Sequence, residues 1–114
     1  MLSNIKSQMR KGLLEYCILS IISRGEAYSS DILETLKRAQ LVVVEGTVYP
    51  LLTRMKNEGL LSYRWQESTG GPPRKYYTLT VEGQTLLSQL SEEWQIICQA
   101  VNLVTNPDQQ IANS

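Results

Sequence analysis

The sequence predicts a mainly α fold with one small β-hairpin and a long C-terminal helix. Three observations carry it. The stretch Glu45 to Gly59, EGTVYPLLTRMKNEG, is amphipathic at helical spacing. Two alternating runs around a Ser-Thr-Gly-Gly-Pro-Pro segment follow it, and a sustained 3,4 apolar repeat follows those.

A chain of 114 residues with 42% apolar residues can bury one modest core, so one compact domain is expected, with an oligomer adding buried surface. The net charge is zero, but it is unevenly distributed. All eleven Lys and Arg lie between Lys6 and Lys75, against seven acids up to residue 80, a balance of +4; residues 81–114 carry four acids and no cation, a balance of −4. The first part is a candidate polyanion binder and the second is not.

There is no His, and Cys17 and Cys98 stand far apart in apolar helical patterns. No metal site and no cofactor is expected, and the cysteines read as buried thiols in a reducing compartment. The apolar run Leu13 to Ile22 is broken by Glu15 and is too short to span a membrane, so a cytoplasmic protein without membrane contact is expected.

Residues 1–8 are polar and expected to fray. Met9, Leu13, Leu14, Cys17, Ile18, Ile21 and Ile22 then predict a helix to Ser23, apolar on more than one face, with Gly12 weakening its start and Gly25 ending it. Ser29 or Ser30 can cap a second helix, with Asp31 in its first turn and a core face of Ile32, Leu33 and Leu36 up to about Arg38. Leu41 to Val44 is β-branched and reads as a short strand or an extended linker.

The next helix presents Val48, Leu51, Leu52 and Met55 to a core and Thr47, Tyr49, Thr53, Arg54, Lys56 and Asn57 to the outside. Hydroxyls, an amide, an aromatic ring and two cations on one face can hydrogen-bond phosphates and base edges, although a solvated face has the same composition. Pro50 fits only a first turn, so the helix begins near Thr47, or it begins near Glu45 and bends.

After Gly59, Leu61, Tyr63 and Trp65 alternate with Ser62, Arg64 and Gln66, and Lys75, Tyr77 and Leu79 alternate with Arg74, Tyr76 and Thr78. With Ser68 to Pro73 as the loop, this is a hairpin with Arg74 and Lys75 at its tip. Helix, turn, helix and basic hairpin together make a winged helix-turn-helix over residues 1–80. In such a fold one helix enters the major groove of DNA and the wing reaches phosphates or the minor groove.

Thr80 can cap the last helix, residues 81–106, which Asn106-Pro107 ends, leaving residues 107–114 as a flexible tail. Leu87, Leu90, Trp94, Ile97, Val101 and Val104 are spaced 3, 4, 3, 4 and 3 apart, a heptad seam, and Leu86, Ile96, Ala100 and Leu103 widen it. About 25 residues at ~1.5 Å make a rod of roughly 37 Å, longer than a small core can cover. The seam therefore predicts a homodimer; a membrane-surface helix is the weaker reading, because residues 81–114 lack Lys and Arg.

EGTVYPLLTRMKNEGLL followed by GGPPRKYYTLTVEG resembles the PadR family of bacterial transcriptional regulators, whose signature joins a GT-aromatic-Tyr-Pro type helix start to an RKYY-x-LT-xx-G wing. Here Val48 precedes Tyr49. The likeness runs over roughly residues 9–95, and the single C-terminal helix is similar to the short subfamily. It implies a homodimeric repressor on double-stranded DNA with a pseudo-palindromic operator. By it Thr47, Tyr49 and Arg54 would contact DNA from the helix, and Arg74 and Lys75 from the wing; Thr53, on the same outer face of the helix, joins the DNA-binding set. It further implies a planar aromatic effector at the dimer interface, beside Trp94 with Tyr16, Leu87 and Cys98; the simpler role of Trp94 is a knob filling the seam. The departures are Val44, where many members have a polar cap, and Pro72-Pro73 before the basic pair.

Two other functions fit parts of this pattern. A winged helix that binds only proteins would dimerise equally well but would lose nothing on neutralisation of Arg54, Arg74 and Lys75. Catalysis has little support: there is no His, phosphate loop or nucleophile-base pair.

Overall fold

In the computed structural model, which describes residues 1–41 and 45–108, five helices surround a three-stranded antiparallel sheet. The order is α1 (Leu2–Arg10), α2 (Leu13–Ser23), β1 (Ala27–Tyr28), α3 (Ser29–Arg38), a 3-10 turn (Glu45–Thr47), α4 (Val48–Asn57), β2 (Leu61–Ser68), β3 (Gly71–Leu79) and α5 (Val81–Thr105). The expected strand or linker at Leu41 to Val44 lies, past Leu41, outside the described residues, as do residues 109–114 of the expected tail.

The core is the meeting of α2, α3, α4 and the sheet. Ile18, Leu19, Ile32, Leu36, Val48, Leu52 and Met55 are its fully buried side chains, and Leu61 and Tyr77 close it from the hairpin. Burial raises the pKa of the Tyr77 phenol above its ordinary value, and the neighbouring Tyr63 adds to the shift.

The N-terminal region differs from the expected frayed segment and single helix. Residues Leu2–Arg10 are helical, and the chain breaks at Gly12, whose φ of +88° favours a residue without a Cβ. Met9 therefore leaves the α2 core face and is 68% exposed with Leu2 and Ile5 on α1. The spacing of Leu2, Ile5 and Met9 already carried this helix, but the polar composition around it masked the signal.

Helix α3 starts at Ser29 itself, with Tyr28 at the cap position and no side-chain cap bond, so neither serine caps it. Tyr28 is held in the sheet instead, paired with Tyr76 of β3. The helix ends through Gln40, at φ +60°, with Gln40 N donating to Lys37 O (2.9 Å) and Leu41 N to Leu36 O (2.9 Å). That is a Schellman end without its usual glycine.

Helix α4 ends the same way, here with Gly59 at φ +80°: Gly59 N donates to Lys56 O (3.0 Å) and Leu60 N to Met55 O (2.9 Å). Immediately beyond, Thr80 ties three elements together. Its Oγ1 donates to Gly59 O (2.6 Å) and accepts from Gly83 N (3.0 Å), while its backbone N donates to Leu60 O (3.1 Å). The expected cap of α5 is thus also the clasp at the base of the wing.

The inner half of α5 packs on α2, where Leu86, Leu87 and Leu90 are partly buried against the core. The outer half runs beyond it. Trp94 is 39% exposed and Val104 81%, with Ile96, Ile97, Val101 and Leu103 between these values. The molecule measures 60 × 34 × 22 Å, elongated as the predicted rod requires.

Candidate nucleic-acid interface

Helix α4 supplies the first surface. Val48, Leu52 and Met55 are buried and Leu51 half-buried, so Thr47, Tyr49, Thr53, Arg54, Lys56 and Asn57 face outward as the periodicity requires. Pro50 sits in the first turn of the α-helix, which starts at Val48 with Thr47 at the cap position, as the first alternative requires; the 3-10 turn Glu45–Thr47 precedes it. Thr47 holds the cap position with helical φ and ψ and makes no side-chain cap bond, so its hydroxyl is not used within the helix end.

Arg54 is differently placed from a freely projecting cation. Its Nη2 is ion-paired with Glu15 of α2, and its Nε lies 3.7 Å from Glu58 one turn on. Sequence periodicity could not find this, because Glu15 and Arg54 belong to separate helices brought together only by the core.

The wing supplies the second surface, and here the expected tip is corrected. Ser68 pairs with Gly71, so the turn is Thr69-Gly70, with Gly70 at φ +77°; Arg74 and Lys75 lie within β3, opposite Gln66 and Trp65. Pro72 and Pro73 are strand residues rather than loop residues. They are tolerated because β1 covers β3 only at Tyr76 and Tyr77, and because the β2 pairing is irregular between Gln66 and Ser68. Ser68 Oγ donates to Pro72 O (2.8 Å) across this irregularity.

Being adjacent in a strand, Arg74 and Lys75 point to opposite faces of the wing. Lys75 Nζ lies over the rings of Tyr63 (4.5 Å) and Trp65 (5.0 Å). On the other face the Arg74 guanidinium covers Tyr28 (4.7 Å). Next to it Arg64 is held by Glu26, with Nε donating to Oε2 (2.5 Å) and Nη2 to Oε1 (2.9 Å), and Nη1 donates to Gln66 Oε1 (2.8 Å). The hydrogen bonds from Arg64 hold the Glu26 carboxyl below its usual pKa, and those to Glu26 raise the Arg64 pKa. Arg64 is therefore a strut between β2 and the α2–β1 loop.

The residues expected around an effector are split. Tyr16 and Leu87 line one open groove between α2 and α5, of about 360 Å³, together with Ser20, Gln84, Ser88 and Ser91. Trp94 and Cys98 lie further out on α5, beyond that groove. Of the expected seam, Leu87 and Leu90 serve the chain's own core, while Trp94, Ile97, Val101 and Val104 are uncovered. No helix among the described residues is long and apolar enough to cross a membrane.

The family described as transcriptional regulator PadR-like matches residues 18–89. A PadR-like transcription factor of Bacteroides fragilis is 57% identical, over 89% of this chain and 98% of its own, with a TM-score of 0.74. A PadR-like transcriptional regulator of Bacillus cereus is 39% identical over 87% and 97% of the two chains, with a TM-score of 0.76. A Streptococcus transcriptional regulator is 33% identical over 87% and 98%, with a TM-score of 0.79. The matched segment runs from the middle of α2 through α4, the wing and the Thr80 clasp into α5, and on these grounds the chain belongs to the PadR-like family of transcriptional regulators.

Proposed function

We propose that this regulator is a homodimeric repressor whose two α4 helices enter successive major grooves of a pseudo-palindromic operator. The observation that carries the reading is the joint presentation of the polar face of α4 and the Lys75 face of the wing by a single rigid core. Thr47, Tyr49 and Thr53 are assigned to base edges and phosphates. Arg54 joins them by exchanging Glu15 and Glu58 for phosphate, and Arg74 and Lys75 grip the backbone from either face of the wing.

The dimer is assigned to the outer half of α5, where Trp94, Ile97, Val101 and Val104 are uncovered, with the apolar stripe Leu2, Ile5 and Met9 of the partner's α1 laid against it. A planar aromatic effector would enter beside Trp94 and reach the Tyr16 and Leu87 groove. It would act by favouring a dimer whose α4 spacing no longer matches the operator. The reading is consistent with a cytoplasmic protein that needs no cofactor.

The test is binding to the DNA immediately upstream of the gene, against a scrambled duplex, over ~50 to 200 mM salt. Selective binding that weakens steeply with salt, and that weakens further in Lys75→Ala, supports the repressor. Equal, weak binding to both duplexes points to a protein-interaction module. Ile97→Glu should give a monomer by sedimentation and abolish selective binding; a dimer that persists would move the interface elsewhere.

A further inference from the structure

Lys56 and Lys75 come from different elements, α4 and the wing, yet both ammonium groups sit over the same ring. Lys56 Nζ is 5.5 Å and Lys75 Nζ 4.5 Å from the centroid of Tyr63. Trp65, 59% exposed, meets Tyr63 edge-on at 6.0 Å and lines the outer side of Lys75. Among the described residues neither lysine has a carboxylate partner. The nearest acid in sequence to Lys56, Glu58, is engaged with Arg54 instead.

Two like charges gathered on one ring repel each other, and the negative face of the ring offsets only part of that. A position in the last turn of α4 explains a cation at residue 56 but not its direction toward the wing. Elsewhere on this surface Arg54 is paired with Glu15 and Arg64 with Glu26, and Arg74 lies singly over Tyr28. Among the described residues, the pair on Tyr63 is where two cations without a carboxylate partner share one ring.

We propose that Lys56 and Lys75 form a paired anchor for backbone phosphates of the bound duplex, and that Tyr63 is the positioning residue that holds them together. Lys56 extends the phosphate contact from the helix to the wing, each ammonium neutralising one phosphate. Because phosphates carry no sequence information, the anchor fixes how α4 is seated and does not choose the bases. The inference rests on the DNA-binding reading given above.

It is tested by salt titrations of the wild type, Lys56→Met, Lys75→Met, the double variant and Lys56→Arg on the upstream and scrambled duplexes. Each phosphate contact adds about 0.9 to the slope of log affinity against log salt, which is ~3.5-fold over a fourfold change in salt. Each single Met variant should lose about one such step, the double variant about two, and Lys56→Arg none. The losses should be equal on both duplexes. Tyr63→Leu should leave the slope intact but bind about 2- to 5-fold more weakly, with Tyr63→Phe restoring affinity. An unchanged slope in Lys56→Met, with the wild type binding normally, overturns the anchor alone. Absence of salt-dependent binding in the wild type overturns the repressor reading along with it.

Discussion

Replacing Gly83 by Ala should destabilise the protein by about 2 kcal/mol, and the figure can be worked from the clasp. A Cβ at Gly83 would collide with the carbonyl of Leu60. That carbonyl cannot simply swing away, because it accepts from Thr80 N (3.1 Å), and the first turn of α5 cannot back off without stretching the Thr80 Oγ1 bonds to Gly59 O (2.6 Å) and Gly83 N (3.0 Å). Three bonds at ~1 kcal/mol each are put at risk, and the better helix propensity of Ala returns ~1 kcal/mol. At roughly 4 °C per kcal/mol for a chain of this size, the melting midpoint should fall by about 8 °C. Urea unfolding with an unchanged m value would place the effect in the folded state. Gly46→Ala is the control: among the described residues nothing lies within 4 Å of its Cβ position, and its φ is not in the left-handed range, so its effect should stay within ~0.5 kcal/mol. A Gly83→Ala protein as stable as the control would refute the close approach as the reason for this glycine.

Gln40 holds the left-handed end of α3 at φ +60°, and Gln40→Gly should stabilise by about 0.5–1 kcal/mol in urea unfolding; destabilisation would mean the side chain contributes more than its backbone conformation costs. Glu15→Gln should release Arg54 toward phosphate. Because Arg54 is half exposed and screened by solvent, stability should move by less than ~1 kcal/mol while DNA affinity by anisotropy rises; an affinity that falls would make Glu15 a necessary guide for Arg54. The Glu26 carboxyl is held below its usual pKa by Arg64, so its contribution is present above the ordinary carboxylate range and is lost as pH falls through its folded value. The acid limb of stability against pH should therefore flatten in Glu26→Gln, and an identical limb would show that the pair does not survive in solution.

The elements with strong periodicity were legible in the sequence. Leu52 and Met55, Ile32 and Leu36, and the Thr80 cap stand where their spacing puts them, because local chemistry and the core ask for the same thing there. The two prolines at 72 and 73 argue for a loop on local grounds, yet the long hairpin accepts them at a place where β3 has only one neighbour and the pairing is irregular. Gly12 reads as a weakness in one helix, whereas its positive φ makes it a joint between two. At the interface the residue types were visible but their pairing was not. That Glu15 takes Arg54, Glu26 takes Arg64 and Tyr63 gathers Lys56 and Lys75 depends on contacts between elements, which no periodicity encodes. The opposed directions of Arg74 and Lys75, by contrast, follow from strand alternation once both are placed inside β3.

The clasp at Thr80 has a mechanical meaning. The end of α4, the root of the wing and the start of α5 are bonded within a few residues of one another, so α5 is a lever whose fulcrum lies at Leu60. Over a rod of roughly 37 Å, a tilt of about 5° at the fulcrum sweeps the far end through about 3 Å. Read in reverse, a displacement the size of an aromatic ring's thickness at the outer end of α5 is geared down to a few degrees of rotation at the foot of the reading head. In the proposed two-fold assembly each lever would be loaded by its mate, and the angle between the two reading heads would be set at the outer half of α5, away from α4.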